Sequence, residues 1–122
     1  MTAAPKRNGS IRRLRKRAQF LNAAKGRRAG RSAFSLQAVG VGDAVPGLGF
    51  TVTKKAGNSP QRSRIKRRLR AAARACEPRF QPQHDYVLVG RHEALTEPFA
   101  KVVADLSSAI AKVHAAVRDA RT

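Results

Sequence analysis

The residues of this chain that could do chemistry are few and far apart. One thiol, Cys76, and three imidazoles, His84, His92 and His114, fall in different segments with no second thiol or carboxylate at ligand spacing. The usual thiolate-rich zinc site therefore cannot be assembled from them. The seven acids, Asp43, Glu77, Asp85, Glu93, Glu97, Asp105 and Asp119, stand singly, and no pair marks a general acid and base or a two-metal centre. Gly47-Leu-Gly49 lacks the rest of a phosphate loop and reads as a turn. Cys76 reads as a small hydrophobe at a helix end, and His84-Asp85 as the start of a strand. Positive charge, by contrast, is abundant: Arg62, Arg64, Lys66, Arg67, Arg68 and Arg70 put six bases in nine residues with no acid among them. Most charge runs are solvated faces. Here, however, Arg62, Lys66 and Arg70 recur at i, i+4 and i+8, where like charges on an isolated helix repel. The stripe makes physical sense with an anion against it, so the chemistry on offer is phosphate binding rather than bond cleavage.

The whole composition points the same way. Of 122 residues, 26 are Lys or Arg and 7 are Asp or Glu, a formal charge of +19. Residues 1–79 hold 21 of those bases and two acids, whereas residues 80–122 hold five of each. All the net charge thus sits in the first two-thirds, which implies one binding surface and one neutral supporting part. Arg outnumbers Lys by 18 to 8, a bias suited to forked contacts with phosphates. With no Trp, one Tyr and five Phe, stacking platforms are scarce. The length allows one domain: residues 1–9 read as a flexible basic leader and 10–122 as a single domain. Since 22 of the hydrophobic residues are Ala, the core must be modest, and a large multidomain enzyme is excluded. A lone Cys fits a reducing cytoplasm. No apolar run is long enough for a membrane span and no secretory signal is present.

Periodicity supplies the elements that must position the bases. Ser10 can cap a short helix within Ile11–Lys25, with Leu14, Ala18, Leu21 and Ala24 at helical spacing, Phe20 beside them and Gly26 ending it. Between Ala33 and Val41 the alternation of Phe34, Leu36 and Ala38 with polar residues predicts a half-buried strand. After a turn at Val45-Pro46-Gly47, Leu48–Lys54 alternates again, most simply as a strand antiparallel to the first. Gly57-Asn58 turns the chain, Ser59 can cap, and Pro60 suits a first helical turn, so a helix is expected from Pro60 to Cys76 with Ile65, Leu69, Ala72 or Ala73 and Cys76 on its buried face. Pro78 and Pro82 enclose a loop. His84–Gly90 has the apolar pattern of a strand covered on both faces. Thr96-Glu97-Pro98 starts a last amphipathic helix whose apolar face is Phe99, Val102, Val103, Leu106, Ile110, Val113 and Val117.

Lys54-Lys55-Ala56-Gly57-Asn58, followed by Arg62-Ser63-Arg64-Ile65-Lys66-Arg67-Arg68-Leu69-Arg70, resembles the signature of the protein subunit of bacterial ribonuclease P. In that family a strand ending in Ser/Thr-Lys-Lys-x-Gly-Asn leads into a helix carrying Arg-Asn-Arg-x-Lys-Arg-x-x-Arg. The likeness continues through Leu14 and Phe20, the two strands, Asp85-Tyr86-Val87-Leu88-Val89-Gly90-Arg91 and the last helix. The resemblance implies a small two-layer α/β sandwich ordered α-β-β-(β)-α-β-α, with a left-handed β-α-β crossover, an exception to the usual hand. It also implies that an RNA subunit holds the catalytic Mg2+ and removes the 5′ leader of precursor tRNA. The protein's partners would be ribonuclease P RNA and precursor tRNA, with no metal of its own, no membrane and no protein partner required. Carried over by position, Arg17, Phe20 and Phe34 would line a leader cleft between the first helix and the sheet. Lys54, Lys55, Asn58, Arg62, Ser63, Arg64, Lys66, Arg67, Arg68 and Arg70 would contact RNA.

Ser63 replaces the family's Asn, Ala24 stands where an aromatic partner of Phe20 is common, Gln37 stands where relatives carry Tyr, and Ser59-Pro60 replaces Ala-Val. Stacking in the cleft should therefore be weaker and phosphate contacts more important. The alternative is a structural RNA-binding protein such as a small ribosomal protein. A helix-turn-helix DNA binder ranks below both, because a strand rather than a partner helix precedes the basic helix.

Overall fold

A computed structural model describes residues 11–121 of the chain, with side chains described through residue 115. The expected leader at 1–9, the cap at Ser10 and the side chain of Val117 lie outside the described residues. The elements are β1 (Arg12–Arg13), α1 (Arg17–Ala24), β2 (Arg27–Gly30), β3 (Phe34–Gly40), β4 (Gly47–Thr51), α2 (Ser59–Ala75), β5 (His84–Gly90) and α3 (Phe99–Arg121), with short 3-10 turns at Lys54–Ala56, Glu77–Arg79 and His92–Leu95. The five strands lie in the order β1-β4-β5-β3-β2.

The first helix begins later than its spacing suggests. Arg12 and Arg13 pair in parallel with Gly47 and Leu48, which takes the backbone before Lys16 out of any helix. Arg12 locks this edge: its guanidinium meets the Asp85 carboxylate at 2.6 Å, the Val45 carbonyl at 2.7 Å and Asp43 at 3.1 Å. Gln19 Oε1 then accepts the N–H groups of Arg15 and Lys16 at 2.9 and 3.0 Å, satisfying donors at the true helix start. In consequence Leu14 is buried from an extended segment rather than from the helix. Leu21, expected on the apolar face, is 52% exposed.

The strand following the Pro46 turn is present, but it does not pair with β3. Instead β5 lies between them, parallel to β4 from Gly47↔Asp85 to Thr51↔Val89 and antiparallel to β3 from Phe34↔Gly90 to Gly40↔His84. A strand apolar on both faces belongs at the centre of a sheet, and β5 takes that place with β4–α2–β5 as the parallel crossover unit. β2, a four-residue strand antiparallel to β3, forms the other edge.

Alternation along the strands separates two faces. Phe34, Leu36 and Ala38 of β3, Leu48 of β4, and Tyr86 and Leu88 of β5 point into the main core with Ile65, Leu69, Ala72 and Ala73 of α2 and Val102, Leu106, Ala109, Ile110 and Val113 of α3. Each large side chain so buried contributes roughly 1.5–3 kcal/mol. This layer of α2 and α3 on the sheet is the expected sandwich. Phe99 departs from its helix's apolar face and is 41% exposed, with the Arg68 guanidinium 6.0 Å from its ring centroid. On the other face a smaller cluster joins Val87, Val39 and Val89 to Leu14, Phe20 and Ala23. There α1 covers only part of the sheet. Gly47 and Gly49 are therefore strand residues rather than a turn: a Cβ at Gly49 would stand 2.7 Å from the Phe20 ring, and one at Gly47 2.7 Å from Leu14. Among the described residues no helix is long and apolar enough to cross a membrane.

Candidate nucleic-acid interface

The basic helix is held in place by some of its own polar residues. Asn58, not Ser59, caps α2: its Oδ1 accepts the Gln61 N–H at 3.0 Å while Gln61 Oε1 accepts the Asn58 N–H at 2.9 Å, a reciprocal box that satisfies two orphan donors. Arg62 is half-buried and donates to the Gly57 carbonyl at 2.9 Å, bracing the turn before the helix. Arg68 points toward α3, where it donates to the Glu97 carbonyl and stands 6.0 Å from the Phe99 ring centroid. Its Nε is buried without a partner among the described residues. Of the expected RNA contacts, Asn58, Arg62 and Arg68 thus have structural work, and Arg68 is turned away from the exposed basic face.

The rest face outward. Ser63, Arg64, Arg67 and Arg70 are exposed along α2, Lys66 is half-buried, and Lys54 and Lys55 are exposed on the 3-10 turn before it. Among the described residues none of these bases forms an ion pair, since the acids within reach of a base serve Arg12 and Lys101. Guanidinium groups held unpaired on a rigid helix have the geometry and charge to receive phosphates.

This surface continues into a groove of about 340 Å3 lined by Arg13, Phe20, Gly49, Phe50, Lys66 and Arg70 among others. Gly49 makes the groove possible, because the absent Cβ lets the Phe20 ring lie on β4. Arg70 extends over the Phe50 ring, 5.6 Å from its centroid, a cation–π contact that steers the guanidinium to the groove's rim. Phe20, Lys66 and Arg70, distant in sequence, therefore share one cavity. Arg17 is exposed on α1 but does not line it. Phe34 is corrected outright: it is 0% exposed in the main core, on the opposite sheet face from Phe20, where alternation with Leu36 and Ala38 sends it. Arg13, Gly49 and Phe50 were missed. A recoverable signal existed for one of them, since glycine alternating within a strand marks a close approach.

Cys76 is a structural residue. Burial pushes the Cys76 thiol upward, with Arg79 offsetting only part of this, and its Sγ faces the Val103 carbonyl at 3.6 Å. Among the described residues no three His, Cys, Asp or Glu side chains gather where they could hold a metal ion.

The model of the Ribonuclease P family matches residues 10–114. The chain is 44% identical over 108 residues to the ribonuclease P protein component of Ruegeria pomeroyi, covering 84% of this chain and 86% of that one. Against that of Gluconacetobacter diazotrophicus it is 46% identical over 104 residues, covering 82% and 89%. Among solved structures, the Staphylococcus aureus RNase P protein superposes with a TM-score of 0.67 at 26% identity, covering 83% of this chain and 95% of that one. The Thermotoga maritima protein gives 0.67 at 27%, covering 77% and 90%. These likenesses span the sheet, the basic helix and the last helix together, and a structural ribosomal role is not favoured by them. With the exposed arginines of α2 and the groove beside Phe20, they place the chain in the Ribonuclease P protein component family, an RNA-binding family of tRNA 5′ processing.

Proposed function

We propose that this chain holds the 5′ leader of precursor tRNA in the groove beside Phe20 while the outer face of α2 grips ribonuclease P RNA. The observation that carries this is the convergence of Phe20, Lys66 and Arg70 in one cavity, adjoining the unpaired Arg64 and Arg67. A single strand offers phosphates and splayed bases together. Lys66, Arg70 and Arg13 would take the phosphates, and Phe20 would take one base face. With only Phe20 and the Arg70-covered Phe50 as rings in the groove, and Ala24 and Gln37 in place of further rings, most affinity comes from counterion release. Hydrolysis is assigned to Mg2+ held by the RNA subunit, and no step passes through an ion on the protein. A cytoplasmic site of action accords with this role.

The test is reconstitution. Adding the chain to ribonuclease P RNA at low Mg2+ should restore cleavage of a precursor tRNA at the mature 5′ end, and no stimulation over RNA alone would sink the proposal. In the same assay Phe20→Ala should weaken binding of precursor tRNA more than of mature tRNA, the outcome against it being equal losses for both.

A further inference from the structure

A second cavity, of about 480 Å3, lies at the opposite edge of the sheet, among residues that neither α2 nor the leader groove uses. It is lined by Lys25 and Arg27, by His84 and His114, and by Val39 and Val113 among others. Among the described residues no carboxylate lines it, and neither Lys25 nor Arg27 is engaged in an ion pair. Gly26 lies between the two bases: a Cβ there would stand 2.0 Å from the Ala38 carbonyl oxygen. Only glycine lets the turn from α1 into β2 lie flat on β3.

The rings are fixed rather than floppy. Tyr86 is fully buried, and its hydroxyl accepts the Gln81 N–H at 2.9 Å and lies 2.8 Å from His114 Nε2. His84 packs edge-on to His114, with centroids 4.7 Å apart at 88°, and its Nδ1 sits 3.0 Å from the Pro82 carbonyl. Two positioned imidazoles beside apolar Val39 and Val113, with Lys25 and Arg27 outside any ion pair among the described residues, match one unstacked nucleotide: phosphate on the bases, nucleobase against the imidazoles.

We propose that this pocket is a further RNA site, separate from the leader groove and the α2 face, taking an unpaired nucleotide of single-stranded RNA. The groove lies at the β1/β4 edge and the pocket at the β3/β2 edge, about three strand spacings or roughly 15 Å apart. One phosphate cannot serve both. The inference rests on the reading that the chain binds RNA, and it adds a site where the family resemblance placed none.

The experiment uses the full chain and a pentaadenylate ribonucleotide as probe, with the imidazole C–H resonances of His84 and His114 followed by NMR. Saturable shifts of both rings, with affinity falling about threefold to tenfold in a Lys25→Ala/Arg27→Ala variant whose side chains are exposed and whose fold is therefore retained, support the site. The ring shifts should also survive in Lys66→Ala/Arg70→Ala. Rings that stay silent to millimolar probe, or shifts that vanish with the Lys66 and Arg70 change, overturn it. If ribonuclease P RNA still binds the wild-type chain while the rings stay silent, this pocket alone fails. If that RNA does not bind at all, the broader reading fails with it.

Discussion

Tyr86 concentrates more structural consequence than any other single residue, because its ring fills the main core while its hydroxyl reaches polar partners at the sheet end. Burial pushes the hydroxyl up to about 12, an effect the bond from the Gln81 N–H only partly offsets. The folded protein therefore keeps this proton where the unfolded chain, with an ordinary tyrosine value near 10, has lost it. The contribution is complete below about pH 10 and is lost as pH rises toward about 12, amounting to roughly 2–3 kcal/mol at about 1.4 kcal/mol per unit. Between pH 9 and pH 12 the stability of the wild type should fall relative to Tyr86→Phe by that amount; parallel curves would contradict the assignment. Nothing in the sequence announced this role, since the partners Gln81 and His114 come from a loop and a distant helix. Phe34 shows the converse. Its burial was written in the alternation of β3, and placing it in the cleft by family position ignored the face that the alternation assigns it. Phe20 was legible as a cleft residue, but Gly49, which makes room for it, could be understood only once the ring was seen lying on the strand.

At the scale of elements, α2 divides one basic run between two tasks. Arg64 is exposed and unpaired, whereas Arg68 packs its stem toward α3 and bonds the Glu97 carbonyl. Arg64→Ala should reduce the slope of log affinity against log salt by about one while changing stability by less than about 0.5 kcal/mol. Arg68→Ala should leave the slope intact and cost about 1–2 kcal/mol through the lost bond and packing. Salt titrations with ribonuclease P RNA, paired with thermal melts, separate the two, and equal effects on both readouts would refute the division. The start of α2, the strand β3 and the helix α3 were readable because propensity, capping and hydrophobic period agree there. β1 and β2 were not: Arg12-Arg13 and Arg27–Gly30 carry too little apolar pattern, and they are strands because β4 and β3 offer them backbone partners. The same nonlocal cause moved β4 away from β3, since a strand's neighbour is settled by which strand most needs the centre.

For the whole molecule, the +19 charge is a cost of folding as well as a means of binding. Folding gathers the bases of the groove, the α2 face and the β2 edge onto one small body, where they repel one another more than along an extended chain. Any polyanion that fits the folded arrangement and not the unfolded one must then stabilise the fold by mass action. At an RNA concentration about 100-fold above its dissociation constant the gain is about 2.7 kcal/mol, or roughly 10 °C for a domain of this size. Chloride at matched ionic strength screens the repulsion without fitting the surface, so its effect should be smaller and should not saturate. Melting followed by circular dichroism, with ribonuclease P RNA, a scrambled RNA of equal length and sodium chloride compared, decides the matter. If chloride matches the RNA, the charge acts only as a screened repulsion. A larger, saturable shift with the RNA means that the fold holds these bases at spacings an RNA backbone can meet, which is what the unpaired arginines of α2 and the groove beside Phe20 require.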